Sequence, residues 1–412
     1  MAERNNDFKK GTASFRLVGK LRVTPNSFAM DKKSENNFIS NKMYIGVECG
    51  NGNVVFSQMF GGYKVDDNDN AISKIYAHGS KADPNNPKRS LDDYESKMEI
   101  PWDERDDEVV LQEVGPSCFT QVGLEKNTKG ELLVYKFLSS YDAIDYIKKT
   151  YDNMDANAKD SIVVEVRGNI EYRYYQGKVS YQKNITSVKL KDDITEDKYV
   201  SEFTQTIYAD KDSIGKADME KLILPLTVKV PEYVNKYSGI EVKETVPLDI
   251  ELQIDAQAKI AKSLATKIKS SKNYSCITVI GSFIESGATE EFNIDSLNDE
   301  MKQALEDGLI TEEDVKFTVA SGNQRSQIMS INRLKVIKDE NNELGFAFED
   351  NVYTEKEMNL FADKFFTIVN EVDNASEDSE EVDPTDDGAD EPPFDIDDSK
   401  PVDDMDWMKN FQ

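Results

Sequence analysis

Basic and aromatic side chains alternate along two β-rich stretches of this sequence, and together they have a defined chemistry. The stretches are KMYIGVECGNGNVVFSQMFGGYK (42–64) and VRGNIEYRYYQGKVSYQK (166–183). Aromatic rings offer flat surfaces on which unpaired bases stack, at about 1–3 kcal/mol for each base, while Arg and Lys neutralise phosphates. The two stretches therefore predict a surface for single-stranded nucleic acid.

The candidate contact residues are basic or aromatic and lie on segments with strand-like patterns. They are Arg16, Lys20, Arg22, Lys42, Tyr44, Phe56, Phe60, Tyr63, Lys64, Arg167, Arg173, Tyr175, Lys178, Tyr181 and Lys183. Strand alternation predicts that Arg173 and Tyr175 point outward, and a bulge at Gly168 is the alternative that would invert this orientation. Core packing is the alternative for any single aromatic residue, so the prediction depends on the combination of rings with Arg and Lys.

The net charge of −29 argues at first against a nucleic-acid partner, but the charge is unevenly distributed. Residues 1–64 carry ten basic and five acidic side chains, and residues 161–191 carry six basic and two acidic. The local field, and not the total charge, decides whether a polyanion is attracted. A basic surface on an acidic protein is therefore compatible with the composition.

The sequence contains no recognisable catalytic or metal-binding motif. No GxxxxGK[ST] phosphate loop occurs. The one histidine, His78, lies in a polar stretch and is predicted to be a loop residue and not a ligand. Cys49, Cys118 and Cys276 are far apart, without the spacing of a zinc site or a disulfide framework. We therefore expect no metal, no cofactor and no enzymatic activity.

The predicted location is the cytoplasm. No apolar run approaches the ~18 residues of a membrane span, and the N-terminal residues lack the apolar region of a secretory signal. Unpaired cysteines fit a reducing compartment.

The first 191 residues have the element order of one barrel. Strands are predicted at 13–23, 42–48 and 53–60, with Asn51-Gly52 as a hairpin turn. A polar insertion at about 61–110, expected to be partly mobile, precedes strand-like stretches at 117–124 and 131–138 and a helix at 139–151 capped by Ser140. Two long strands at 160–190 then turn at Gln176-Gly177, with a bulge or bend at Gly168. This is the order of an OB fold.

The second half repeats that order. Strands are predicted at 199–209, 221–230, 242–254, 274–285 and 325–337, with a helix at 256–269 and Gly281 in the position of Gly168. A helical insertion is expected at 295–308 and a final helix at 354–370. The predicted fold class is mainly β (α+β), with tandem OB-like antiparallel barrels at 1–191 and 192–370 and inserted helices.

The tail, residues 371–412, is predicted to be a disordered acidic segment. It contains seventeen Asp and Glu residues and only two lysines. Such a composition cannot bury enough apolar surface to offset the entropy of ordering. The tail nevertheless carries apolar residues, namely Phe394, Met405, Trp407, Met408 and Phe411. It is predicted either to bind a partner protein or to compete with polyanions for a basic groove; a purely solubilising tail is the alternative.

These segments together resemble a known family. FRLVGKL (15–21), the hairpin at 42–60, VVEVRGNIEYRYYQGKVSYQKNITSVKL (163–190) and the tail's EPPFDIDD and DDMDWMKNFQ are similar to single-stranded DNA-binding proteins of the OB-fold type with an acidic tail, as encoded by large bacteriophages. The resemblance implies coating and protection of single-stranded DNA in replication, recombination or repair. It also implies recruitment of replication or recombination proteins through the tail, in the cytoplasm of a bacterial host.

Two other classes of protein stay open on the sequence alone. One is an acidic protein-interaction, nucleic-acid-mimic or assembly factor without affinity for single-stranded DNA. The other is a nuclease or an accessory enzyme of DNA metabolism. Binding to single strands at low salt separates the first from the coating function, and divalent-dependent cleavage would identify the second.

Overall fold

A computed structural model of the chain describes residues 8, 10–84, 86–175, 177–191, 194–286, 326–338 and 342–377. The described part is mainly β, as predicted, and fourteen of its strands form one continuous sheet. Among the described residues, no helix combines the length and the apolar character that crossing a membrane requires.

Among the described residues, the first half of the chain contributes ten strands and three α-helices. They are β1 (Ala13–Arg22), β2 (Phe28–Lys33), β3 (Phe38–Glu48), β4 (Val54–Lys64), β5 (Lys74–Asp83), β6 (Asn86–Pro101), α1 (Glu108–Glu113), β7 (Thr120–Lys126), β8 (Leu132–Phe137), α2 (Ser140–Asp152), α3 (Ala156–Ser161), β9 (Val163–Tyr175) and β10 (Lys178–Leu190). Asn51 and Gly52 both have positive φ, as a turn between β3 and β4 requires.

Five of these strands pair in a ring that returns to its first member. β1 pairs antiparallel with β3 and with β9, β3 pairs with β4, and β9 pairs with β10. β10 and β4 meet in a parallel contact, where Asn184 lies opposite Gln58. We call this ring, in the order β1–β3–β4–β10–β9, the first circuit.

The second half of the chain contributes eight described strands, and five of them form a second ring with the same order. The elements are β11 (Val200–Ala209), β12 (Ile223–Tyr237), β13 (Ile240–Asp255), α4 (Lys259–Ser270), β14 (Tyr274–Ser286), β15 (Ser326–Leu334), β16 (Val336–Lys338), β17 (Leu344–Phe346), β18 (Phe348–Tyr353) and α5 (Glu355–Glu377). The second circuit runs β11–β12–β13–β15–β14, and its β13–β15 contact is again parallel. In chain order, the helices α2 and α4 each lie between the third and fourth strands of their circuit: α2 between β4 and β9, and α4 between β13 and β14.

The two predicted glycines lie where strands approach too closely for a side chain. A Cβ atom on Gly168 would lie 1.9 Å from the carbonyl oxygen of Asn184, and one on Gly281 would lie 2.2 Å from that of Ser330. The pairing register shifts beside both glycines, between Ile185 and Ser187 in β10 and at Gly281 itself. The predicted bulge or bend at Gly168 is therefore confirmed.

A local two-fold relation connects the circuits. Phe15 of β1 lies opposite Gly168, and Phe203 of β11 lies opposite Gly281, so the two phenylalanines are equivalent positions. β1 and β11 pair antiparallel with Phe15 directly opposite Phe203. Equivalent residues facing each other across an antiparallel pair imply a two-fold axis between them. One hydrophobic cluster runs through both circuits, and the division into two domains stays a prediction.

Buried carboxylates of the second circuit hold strands of the first. Glu285 forms an ion pair with Lys183 and accepts a hydrogen bond from the backbone N–H of Phe56 at 3.1 Å. Glu232 accepts from the N–H of Tyr172 at 3.0 Å and pairs with Lys10 at 3.0 Å. Burial raises the pKa of Glu232. The interface between the circuits therefore contains two carboxyl groups that are almost completely buried.

The insertion after β4 folds as a β-ribbon and not as an irregular loop, while its partial mobility stays a prediction. β5 and β6 pair along their length, and the ribbon is anchored at its base by Trp102, which stacks on Tyr63 at 4.4 Å. His78 lies in β5 and is buried against Asp92, its Nε2 atom 2.9 Å from the carboxylate. It was wrongly predicted as a loop residue because residues 116–118, distant in sequence, fold over it.

Helix α2 packs tightly on β3 and β4. Its N-cap is Ser139, whose hydroxyl accepts from the N–H of Tyr141, and not Ser140 as predicted. Asn41 of β3 donates to the carbonyl of Tyr141 at 3.0 Å, and a Cβ atom on Gly61 would lie 2.4 Å from the Tyr141 nitrogen. Gly61 therefore permits the helix to lie directly on the strand.

The C-terminal helix α5 continues past the predicted end at Asn370 to Glu377. Two predictions lie outside the described residues: the helical insertion at 295–308, and the tail from residue 378 onward with its apolar residues Phe394, Met405, Trp407, Met408 and Phe411.

Candidate nucleic-acid interface

The outer face of β3 and β4 carries alternating aromatic and basic residues. Lys42 lies opposite Phe60 across the strand pair, and Tyr44 lies opposite Gln58. Tyr44 and Phe60 are 42% and 38% exposed, whereas the alternate residue Met43 is buried in the core. The period of two in a strand thus separates core residues from surface residues here.

Aromatic rings on this face form two stacked pairs. Tyr44 and Phe56 have ring centroids 5.3 Å apart with 14° between their planes, and Phe38 and Phe60 are 6.1 Å apart with 23°. Phe38 was missed by the sequence analysis, because it precedes the predicted strand. We call the surface formed by these four rings the aromatic face.

Cations surround the aromatic face. Lys42 is exposed, and no ion pair of its side chain occurs within the described ranges. Arg22 lies opposite Gly46, beside Phe56, and pairs with Glu48. A side chain on Gly46 would crowd the ring, since its Cβ would lie 3.1 Å from Phe56. Lys20 and Lys64 are half-buried on the flanking parts of β1 and β4.

The hairpin between β9 and β10 extends the surface. Tyr175 is 51% exposed and lies opposite Lys178, which is also exposed. Arg173 is half-buried beside Glu171, with 3.3 Å between Nε and the carboxylate, and Tyr172 points into the core. The predicted outward orientation of Arg173 and Tyr175 is therefore confirmed.

Of two candidates on β10, Lys183 is buried, so its prediction as a contact residue was wrong, and Tyr181 is half-buried against the second circuit. Lys183 is 4% exposed, and its ammonium group pairs with Glu285 and lies over the rings of Tyr181 and Phe283. Burial lowers the pKa of Lys183 and raises that of Tyr181. The reason is that β14 of the second circuit covers this end of β10.

Tyr63 is a further candidate that the fold uses differently. Its ring stacks on Trp102 and meets Tyr141 edge-on at 5.3 Å. Arg105 lies over the Trp102 ring and pairs with Asp142 of α2 at 2.7 Å. Tyr63 therefore anchors the ribbon, and these contacts leave it poorly placed as a platform for bases.

Arg16 and Arg167 meet on a different part of the first circuit. They lie opposite each other on β1 and β9 and share Glu165, each with its Nε 2.8 Å from the carboxylate. Burial opposes ionisation of Glu165, but Arg167 and then Arg16 outweigh it, so the pKa of this carboxyl is lowered. One charge of the cluster is neutralised and one cation remains in excess.

The described residues hold no cluster of three or more His, Cys, Asp or Glu side chains that could bind a metal ion. Cys49 is a half-buried free thiol whose pKa is raised to about 12, chiefly by desolvation.

Comparisons with known proteins found only remote structural similarity. No family model matches the chain, and no curated protein matches it. Crystal structures of the wild-type single-stranded DNA binding protein from Thermus aquaticus and of a deletion mutant of it are similar, with TM-scores of 0.29 and 0.28 and 8% and 9% identity. Each covers 67% of this chain, and 87% and 88% of those chains are covered. TM-scores this low do not establish a common fold.

Proposed function

We propose that this protein binds single-stranded DNA and coats it, with the aromatic face of the first circuit as the main contact surface. The observation that carries the proposal is the pair of stacked aromatic couples, Tyr44–Phe56 and Phe38–Phe60, flanked by Lys42 and Arg22 on exposed strands. Stacking on the rings binds any base, and the cations hold the backbone, so binding would be strong and tolerant of sequence.

We further propose that each circuit is an OB-like barrel. The order of pairing, the helix before the fourth strand and the parallel closing contact support this interpretation in both circuits. In OB folds the face of strands 2 and 3 and the loop between strands 4 and 5 bind oligonucleotides. The corresponding parts of this chain are β3, β4 and the turn that carries Tyr175 and Lys178.

Replacing Tyr44 and Phe60 separately with alanine should weaken binding to oligo-dT by about 1–3 kcal/mol each, because each substitution removes one stacking surface. Fluorescence anisotropy with labelled oligo-dT of about 40 nucleotides, longer than two sites of roughly 4–16 nucleotides, measures the change.

The matched control for these substitutions is Phe346→Ala. Phe346 is 60% exposed but lies on the small β16–β17 ribbon, away from the aromatic face. Its loss should leave affinity unchanged. Equal effects of all three substitutions would show that the aromatic face has no special role, and no affinity of the wild type at low salt would favour the acidic interaction factor.

The acidic tail is proposed to compete with DNA for the basic surface and to recruit replication or recombination proteins through its apolar residues. Residues 378–412 contain fourteen acidic side chains. A tethered polyanion has a high effective concentration at its own groove, so it can compete although each contact is weak.

Ending the chain at Glu377, which preserves α5, should tighten binding to oligo-dT several-fold at low salt, and the gain should shrink as salt screens the tail. A control chain keeps the composition of residues 378–412 but shuffles the order of its residues. Competition depends on charge, so the shuffled chain should bind DNA like the wild type; if truncation leaves affinity unchanged at every salt concentration, competition by the tail is refuted.

A further inference from the structure

A cleft of about 640 Å³ opens on the first circuit away from the aromatic face, between the β9–β10 pair and the segment before β7. Cations, amides, aromatic rings and the carboxylate of Glu165 line it. Arg167 and Lys189 line it from the strands, Gln121 lines it from β7, and Tyr94 and Phe119 line it from the opposite side. A cavity with these groups can hold a planar anionic ligand.

The positive groups of the cleft are incompletely neutralised. Arg167 uses Nε on Glu165, and within the described ranges its terminal nitrogens have no partner. Lys189 donates to the amide oxygen of Gln121 at 2.7 Å and has no carboxylate partner there. Burial and then the charge of Arg167 lower the pKa of Lys189. A bound phosphate would relieve the repulsion between the two cations.

A row of amides connects the cleft with the aromatic face. Gln58, beside Tyr44, donates to Asn184 at 3.1 Å. Asn184 donates to Glu171 at 2.7 Å and lies opposite Asn169, which lines the cleft. Amide side chains can donate to phosphates and accept from bases without regard to sequence. A nucleic-acid strand on the aromatic face can therefore continue across β10 into the cleft.

We propose that the cleft is a nucleotide subsite that extends the DNA path of the first circuit, with the phosphate held by Arg167 and Lys189 and the base against Tyr94. Tyr94 is 37% exposed and is positioned by the ring of His78, with centroids 4.5 Å apart. This inference rests on the proposed function, and it adds a second tract that the ribbon β5–β6 helps to form.

Lys189→Gln in the full chain tests the subsite. We expect affinity for oligo-dT to fall roughly tenfold and the slope of log affinity against log salt to decrease by about one, as loss of a phosphate contact requires. Lys189→Arg, which keeps the charge, should bind nearly as the wild type does. Lys216→Gln removes an exposed charge of the second circuit and controls for the general field of the protein.

Photo-cross-linking locates the base directly. With oligo-dT that carries 5-iodouracil, the peptide 90–97, which contains Tyr94, should be cross-linked in the wild type and much less in Lys189→Gln. The subsite would be overturned if the wild type binds tightly without a cross-link at 90–97 and if Lys189→Gln and Lys216→Gln have equal affinities. In that case the aromatic face would remain the proposed contact surface.

Two other results would overturn the assignment in different ways. If the wild type binds no single-stranded DNA at low salt, both the subsite and the proposed function fail. If a zero-length carbodiimide cross-link joins Lys189 to the acidic tail even when oligo-dT is added beforehand, the cleft holds a segment of protein and not a nucleotide.

Discussion

Substitution of Glu285 by alanine is expected to lower the free energy of unfolding by about 3–5 kcal/mol, because it leaves the buried ammonium group of Lys183 without a partner. The substitution also removes the acceptor of the Phe56 N–H, and an unpaired buried donor adds its own desolvation cost. Urea unfolding followed by circular dichroism measures the change.

Two controls separate the buried charge from other effects. Asp249→Ala breaks the pair of Asp249 with Lys229, which has 2.8 Å between the charged atoms but lies at the surface, and should cost no more than about 1 kcal/mol. The double change Lys183→Met with Glu285→Gln removes both charges and keeps an oxygen for Phe56, so it should be much less costly than Glu285→Ala.

Glu285→Ala should also affect the proposed DNA-binding surface. Phe56 stacks on Tyr44, and Glu285 holds its backbone in place from the second circuit. Glu285→Ala is therefore expected to weaken binding to oligo-dT as well as stability, measured where the variant is still folded. If Glu285→Ala lowers the free energy of unfolding no more than Asp249→Ala does, the interface between the circuits does not depend on the buried pair.

Gly168→Ala is expected to destabilise the protein by about 3 kcal/mol, at the upper end of the range for overpacked interiors. The added Cβ would lie 1.9 Å from the carbonyl oxygen of Asn184, which belongs to the backbone of the paired strand and cannot rotate away. Gly281→Ala should have a similar effect, with 2.2 Å to the carbonyl of Ser330. Chemical denaturation gives both values.

Gly345→Ala is the matched control, because nothing lies within 4 Å of its added Cβ. Glycine in a strand costs conformational entropy, so this change should be neutral or slightly stabilising. If Gly168→Ala were as stable as Gly345→Ala, the close approach of β9 and β10 at the bulge could not be a feature of the folded protein.

Local patterns in the sequence by themselves determined much of the fold. The paired strands β9 and β10, the turn that joins them and the outward direction of Arg173 and Tyr175 follow from alternation between neighbours in the chain. The Asn51-Gly52 turn follows from the positive φ that these residue types tolerate. The mainly β class and the repeated order of elements were predictable for the same reason, since strand periodicity and turn chemistry are local properties.

Only the tertiary structure decided which outward residues remain at the surface. Lys183 lies opposite the buried Ile170, and Tyr63 lies on the same face of β4 as the buried Met59. What packs against them there, Glu285 of β14 and Trp102 at the base of the ribbon, comes from distant parts of the chain. His78 is buried by residues 116–118 in the same way. The free energy of burial depends on what packs against a side chain, and here those partners lie far along the chain, where no local pattern reports them.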